Sequence, residues 1–596
     1  MNTKSIPSIL LLSAGLLLCA CGKQEAPISG PVDHETIRYS EMVYPNDKGE
    51  VKRDKGFKLL FKANSEIPYV SIKEGFNFLN VVKGVHTGDT KNERFFYKVS
   101  KEDNGYVVVN EAGTKAHFNV KDQTVLYDDF DAFCALTDTT AAKPLALLNV
   151  PKGMKSIALT SSEFTKGNAV TVNLKNYDGI DLYDKGEELY MPLTTFNDMF
   201  LNVTQFTNLA YNYQDLFLLP NDSLVDRSGS TPKLTKIGEA FFSGPKKATL
   251  TEELKKFHYQ ETCLNFDYFY GLKADKGFTS FASFIQDKGF KGDFENSDTK
   301  KADAALRYAV SHLVDGHTAV AVNSPLYGFG ELDDDPTRMD ATRTKWVDDG
   351  EVFSSSRAAS TSPLGNHLSG DVYFISFNSF AAVNESLLYS PKSQWTAEAI
   401  ATQTALQFSD AYSFLTAEAN KGKAKTVVVD LATNDGGAAD ALIYGLSTLI
   451  GEVKTIVRNP LSGAVGRASY KADINLDGKV DEKDVPLIDK GYNIMILDSR
   501  FSFSSANAFP ALAKANNAKV KTVGEKSAGG ACVVREVFSG LGASYATSGL
   551  TEIVTEEGGK LVNVDKGVPA DLAVEGSKML DRSHVVSVID NYLQGK

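Results

Sequence analysis

Three short segments of this sequence place hydroxyl, glycine and imidazole residues where acyl-transfer chemistry would need them. Ser505 lies in Phe501-Ser-Phe-Ser-Ser-Ala-Asn-Ala-Phe-Pro, between an apolar strand pattern and a helical one. A serine there stands at a helix N-terminus, where backbone N–H groups and the helix dipole favour developing negative charge. The same position suits a plain N-cap, and Ser504 can take that role and leave Ser505 free. The second segment is Asp430-Leu-Ala-Thr-Asn-Asp-Gly-Gly, at the end of the apolar run Thr426-Val-Val-Val-Asp-Leu. Glycines at a strand end permit close backbone approach. The amides of Gly436 or Gly437, with that of Ala506, would then form an oxyanion hole; a tight turn is the other reading of Asn-Asp-Gly-Gly. The third is His317, after Gly316 at the end of an amphipathic helical pattern. A hydroxyl nucleophile needs a base that titrates near neutrality, and histidine is the usual one.

A fourth segment speaks of metal rather than of nucleophiles. In Asp473-Ile-Asn-Leu-Asp-Gly-Lys-Val-Asp-Glu-Lys-Asp, side-chain oxygens fall at positions 1, 3, 5, 9 and 12 of a twelve-residue loop. Glycine stands at position 6 and the Lys479 carbonyl at position 7, the calcium pattern of EF-hand and dockerin-like loops. The expected ligands are Asp473, Asn475, Asp477, Lys479 through its carbonyl, Asp481 and Asp484, in an insertion at about 470–486. Calcium would be structural, since the acyl-transfer chemistry needs no cofactor.

The elements around these residues alternate. Lys300 to Leu313 carries apolar residues at helical spacing, and Val372-Tyr-Phe-Ile-Ser-Phe reads as a strand. Helices are expected over about 397–420 and from about Ala438, a strand over Asn493-Ile-Met-Ile-Leu, and a helix from Ser505 to about Asn516. Such alternation indicates parallel βαβ units, with sites at the carboxyl ends of the strands. Residues 35–245 read differently, as short strands bounded by turns in a β-rich α+β region. Within it, Ile67-Pro-Tyr-Val-Ser-Ile and Leu189-Tyr-Met-Pro-Leu each run from a strand into an apolar helix, as a duplicated unit would.

Length and composition set the frame. A chain of 596 residues exceeds one ordinary core. Its 75 acidic against 63 basic residues argue against a nucleic-acid backbone as the main partner. Lys4, the apolar run Ile9 to Leu18 and the ending Leu18-Cys-Ala-Cys21 form a signal peptide over 1–20, too short to span a membrane. The ending resembles a bacterial lipobox, with Cys21 the lipidated residue and 21–34 a polar tether; an ordinary cleaved signal is the alternative. Cys134, Cys263 and Cys532 show neither a disulfide framework nor metal spacing.

Asp315-Gly-His-Thr, Asp430-Leu-Ala-Thr-Asn-Asp-Gly-Gly, Phe503-Ser-Ser-Ala-Asn, Val523-Gly-Glu-Lys-Ser-Ala-Gly-Gly and Asp565-Lys-Gly-Val-Pro-Ala-Asp occur in one order. That order resembles the tricorn-core and carboxy-terminal processing peptidase family, over about residues 246–596. The resemblance implies an α/β, crotonase-like core with an added β region, Ser505 as nucleophile, His317 as base and the Gly-Gly turn as oxyanion site. Departures stand beside it. Gly530 replaces the lysine of the processing branch, and Ala508 replaces a glutamate three residues after the nucleophile. Asp565 is the candidate for the supporting acid. Only about fifty residues separate His317 from the Val372 strand, too few for a PDZ domain.

The expected function is hydrolysis of peptides or unfolded protein, in the cell envelope of a Gram-negative bacterium, at the outer membrane or cell surface. Two other classes stand against it: a lipid-anchored binding protein that keeps the groove without turnover, and a glycan-associated surface protein suggested by the dockerin-like loop.

Overall fold

The apolar runs that read as buried strands assemble into one central sheet. In the computed structural model, which describes residues 30–595 apart from 47, 88–95, 135–149, 151–152, 203–206, 230 and 333–334, this sheet has six strands. Their order is Gly365–Ser369, Val372–Ser376, Thr426–Asp430, Asn493–Asp498, Lys521–Gly524 and Leu572–Ala573. All neighbours pair in parallel except the first two. Both faces are covered. Val427, Val429, Ile494 and Ile496 meet the helices Thr404–Thr416, Ala439–Ile450 and Ser505–Asn516. Val428, Met495 and Leu497 point the other way, towards Phe353 of the helix Ala341–Arg357 and towards Val585 and Ile589 of Arg582–Leu593. Burial on both faces is why these strands carry unbroken apolar runs.

A second, seven-stranded sheet lies beside this one and includes Ala319–Val322, Val465–Ala472 and the long strand Ser544–Glu557. Ala319–Val322 begins two residues after His317 and pairs antiparallel with Ser544–Glu557. The strand Ile157–Thr165 joins the far edge, against Val465–Ala472. The early part of the chain therefore contributes a strand to the sheet that borders the site.

The early residues otherwise form a seven-stranded, a five-stranded and a two-stranded sheet. The two look-alike segments sit side by side. Tyr69–Ser71 feeds the helix Ile72–Thr87, and Glu188–Pro192 feeds Leu193–Phe196 and a π-helical turn, Asn197–Leu201. The strands pair antiparallel with Val70 opposite Met191, and the Phe76 ring lies 5.5 Å from Phe196 and 5.0 Å from Phe200.

One expected helix is broken. The stretch 397–420 divides into Ala397–Thr402 and Thr404–Thr416 because Gln403 is extended. Thr404 Oγ1 accepts the Ala381 N–H there, a contact from outside the helix that holds the break. The signal segment and Cys21 lie outside the described residues. Among the described residues, no helix is long and apolar enough to cross a membrane.

Candidate active site

Three loops leave the carboxyl ends of neighbouring parallel strands and are laced together. Ser499 Oγ donates to the Ala432 carbonyl and Ser502 Oγ to the Leu431 carbonyl. Phe503 N–H donates to Asn434, Ser504 N–H to Gly529, and Ala528 N–H to Ser502. The segment before the Ser505–Asn516 helix is thus fixed to both of its neighbours.

The backbone strain in this segment falls on Ser504. Its φ of 57° and ψ of −122° lie outside the regions open to residues with a Cβ. Holding such a residue costs on the order of 1–3 kcal/mol, and such strain clusters at functional sites. Ser504 occupies the N-cap position but makes no side-chain cap bond. Glycine makes room on both sides. A Cβ on Gly436 would lie 2.6 Å from Ser504 Cβ and 3.0 Å from its Oγ, and one on Gly530 would lie 2.8 Å from Ser504 N. Even one carbon at position 530 would therefore strike the Ser504 backbone.

Ser505 faces the glycine turn and donates its hydroxyl to the Gly437 carbonyl at 2.7 Å. Of the three predicted oxyanion amides, two are engaged. Gly436 N–H goes to Asn434 Oδ1, and Ala506 N–H goes to the Phe503 carbonyl. The N–H groups of Gly437 and Ser505 have no acceptor among the described residues. These two free amides belong to residues adjoining Gly436 and Ser504.

His317 sits on a turn that is itself strained. Val314 has φ 47°, rare for a β-branched residue. Asp315 is buried and accepts four bonds: from the His317 N–H, Thr318 Oγ1, Ser548 Oγ and the Tyr270 hydroxyl. The His317 ring packs 4.6 Å from the Phe503 ring, the residue before Ser504. Its Nδ1 is buried without a partner among the described residues, and no hydrogen bond joins the ring to Ser504 or Ser505. Burial pushes its pKa below the ordinary value, against the pull of Asp315 and Asp565.

Val314→Gly tests the strain. Val314 is 44% exposed, so little burial is lost. The substitution is expected to leave stability unchanged or raise it by up to about 1 kcal/mol in urea denaturation. A loss above that overturns the strain.

Asp565 acts on the glycine turn. Its Oδ1 accepts from Gly530 N–H at 2.9 Å and Ala531 N–H at 3.3 Å. The neighbouring Gly529 carbonyl holds Ser504 N–H, so Asp565 is two backbone links from Ser504. It does not hydrogen-bond His317, although its charge reaches the ring.

Sequence reasoning overlooked two residues. Asn507, buried in the first turn of the helix, bonds the Val564 carbonyl and accepts from Ser527. Trp346 donates its indole N–H to the Arg500 carbonyl and packs 5.8 Å from Phe503. Asn507 lay inside a quoted motif, whereas Trp346 had no spacing signal.

The expected calcium ligands do not converge. Asp484 Oδ1 accepts the N–H groups of Ile474 and Asn475, and its Oδ2 accepts that of Asp481. Among the described residues, no group of three or more His, Cys, Asp or Glu stands where it could hold a metal ion.

Comparison with known proteins finds similarity over part of the chain. No curated protein matches the chain by sequence. Solved structures similar to it include a lipoprotein from Streptococcus agalactiae, 15% identical over 52% of this chain and 88% of that one, with a TM-score of 0.31. Mature CPAF is 11% identical over 58% and 98% of the two chains, at 0.35. The photosystem II D1 C-terminal processing protease is 16% identical over 36% and 46%, at 0.25. The sequence model of peptidase family S41 matches residues 375–574. That span holds the Gly436–Gly437 turn, both serines and Asp565. Over residues 375–574 the chain is thus similar to peptidase family S41.

Proposed function

We propose that this chain is a serine peptidase that cleaves peptides or unfolded protein by acyl transfer, with Ser504 as nucleophile and His317 as general base. The observation that carries the reading is the strained backbone of Ser504 between two free amides, those of Gly437 and Ser505. A serine on a strained strand-to-helix turn presents its hydroxyl outward, and the amide of the next residue serves the oxyanion. With Ser505 as nucleophile, the corresponding amide would be that of Ala506, which Phe503 already occupies.

In the reaction, Ser504 Oγ adds to the scissile carbonyl while a neutral His317 accepts its proton. The carbonyl oxygen becomes an oxyanion held by the Gly437 and Ser505 amides. His317 returns the proton to the departing amine, and water reverses the sequence on the acyl-enzyme. Asp565 holds the Gly529–Gly530 turn against Ser504 and supplies negative charge near the imidazolium. A crotonase-like core, a lipid on Cys21 and a place in the cell envelope complete this reading. They rest on the sequence motifs, and lipid would bring substrate and enzyme together at a membrane surface.

A second reading, a groove without turnover, is favoured by one observation: the His317 ring has no bond to either serine. One experiment decides among the readings. Wild type, Ser504→Ala and Ser505→Ala are treated with a fluorophosphonate probe and scored for labelling. Wild type and Ser505→Ala are expected to label, and Ser504→Ala is not. The reverse pattern moves the nucleophile to Ser505. No labelling of folded wild type replaces the peptidase with a peptide-binding protein.

A further inference from the structure

The loop from Asp473 to Asp484 holds a buried charge that its own hydrogen bonds leave unmatched. Asp473 has no exposed surface. Its Oδ2 accepts the Gly478 N–H at 2.7 Å and the Tyr389 hydroxyl at 2.8 Å. Its Oδ1, also buried, has no partner among the described residues. Because Gly478 is the sixth residue of the loop, the carboxylate faces the loop interior. A buried carboxylate oxygen without a donor is costly, and such atoms mark missing ligands.

The backbone already takes the path that a cation loop requires. Leu476 and Gly478 have φ of 60° and 86°, and the Asp477 N–H folds back to Asn475 Oδ1. The Lys479 N–H does the same to Asp477 Oδ1. The Lys155 ammonium would lie 2.8 Å from a Cβ on Gly478 and stacks over the Tyr389 ring, and Asp473 forms no ion pair among the described residues. Asp484 closes the loop on backbone N–H groups in place of a cation.

We propose that this loop binds a calcium ion, with Asp473 Oδ1 as its buried ligand and with Asn475, Asp477 and the Lys479 carbonyl completing one side. Asp484 then turns from its N–H groups to the ion. Position 12 of such loops serves that purpose, and oxygen donors of this kind select calcium. The site stands apart from the serine chemistry, and its test does not depend on it.

Its consequence is mechanical. The Asp473 carbonyl accepts from Tyr444, and Leu487 and Ile488 N–H groups cap Thr448 and Leu449, all on the helix that begins just after Gly437. The Asp473 N–H holds the Ser156 carbonyl, at the start of the strand that the early chain lends to the second sheet. The ion therefore fastens the helix behind the oxyanion turn to residues near 156.

The test uses the full chain stripped with chelator. Calcium chloride is titrated calorimetrically, and the melting midpoint is read in chelator, in 2 mM-scale calcium (on the order of physiological extracellular levels) and in equal magnesium. Wild type is expected to show one-site heat and a midpoint raised by several degrees in calcium, with a smaller rise in magnesium. Asp477→Ala removes an exposed carboxylate and the bond it accepts from the Lys479 N–H, so its midpoint in chelator should fall by no more than about 4 °C. Its calcium affinity should fall at least about tenfold, the usual cost of losing one charged ligand. Absence of heat and of any shift in folded wild type would overturn the site, as would an equal shift with magnesium.

Discussion

His317→Ala is expected to lower kcat/KM on an unfolded protein substrate by roughly 10³-fold or more, the scale of losing a general base in such a site. The circular dichroism spectrum should not change, because the ring makes no hydrogen bond to either serine. The wild-type pH profile carries a sharper signature. Only neutral imidazole can accept the Ser504 proton, so kcat/KM rises with pH through the pKa of His317 in the folded enzyme. Burial places that pKa below the ordinary histidine value of about 6.5. The acid limb should therefore have its midpoint below about 6.5, with a flat profile at neutrality. Linkage has the same sign. A histidine whose folded pKa is depressed contributes stability above its unfolded pKa, and that contribution is lost as pH falls towards the folded value. Asp565→Asn removes a charge that supports the protonated ring, so the limb should move further down in pH. A limb midpoint above 6.5, or His317→Ala within tenfold of wild type, would remove His317 as the base.

Much of the fold around this site was legible, for a physical reason that also explains what was not. The helix beginning at Ser505 and the strands Thr426–Asp430 and Asn493–Asp498 were readable because apolar runs buried on both faces leave a local pattern. The glycine turn and His317 stood out because two successive glycines at a strand end and a histidine, one of eight in the chain, are choices with specific uses. The choice between Ser504 and Ser505 was not readable. The two residues are identical in chemistry, and what separates them is a φ of 57° held by contacts with Gly436 and Gly530. Those glycines come from two other loops, so no window around the serines contains the information. The division at Gln403 is similar: no glycine or proline marks it, and the bond to Ala381 arrives from elsewhere. The strand Ile157–Thr165 pairs with residues some three hundred positions later, beyond any local pattern. The calcium loop showed the opposite case. Its spacing was plain in the sequence, yet its carboxylates spend themselves on backbone N–H groups, leaving only the unmatched Asp473 oxygen as a structural sign.

Asp430→Ala is expected to destabilise the protein by about 3–5 kcal/mol, the usual cost of stripping one partner from a buried ion pair. Asp430 ends the strand that leads into the glycine turn and has no exposed surface. Its Oδ2 accepts from Arg357 and, at 2.6 Å, from Arg582, both also buried. Burial alone would raise its pKa, but the two guanidiniums outweigh it and hold the carboxyl at about 2. A folded pKa below the ordinary value of about 3.9 contributes stability above pH 4 that is lost as pH falls through 2, worth roughly 2 kcal/mol. Removing the carboxylate leaves two buried cations facing each other. The damage should also reach the site. Arg357 closes the helix that carries Trp346, and it donates to Thr433 at 2.6 Å within the glycine loop. Thr433 in turn donates to Asn378 at 2.6 Å. The turn from Leu431 to Gly437 is therefore positioned by the same charge that holds the fold, and kcat should fall in a variant that remains folded. Replacing all three charged residues with apolar residues of similar volume separates the two effects. Stability should return to within about 1–2 kcal/mol of wild type, since a buried ion triad contributes little net stability over well-packed apolar groups. Activity should not return, because Thr433 has lost its donor. Full recovery of kcat in that triple variant would show that Asp430 and its arginines serve the fold alone.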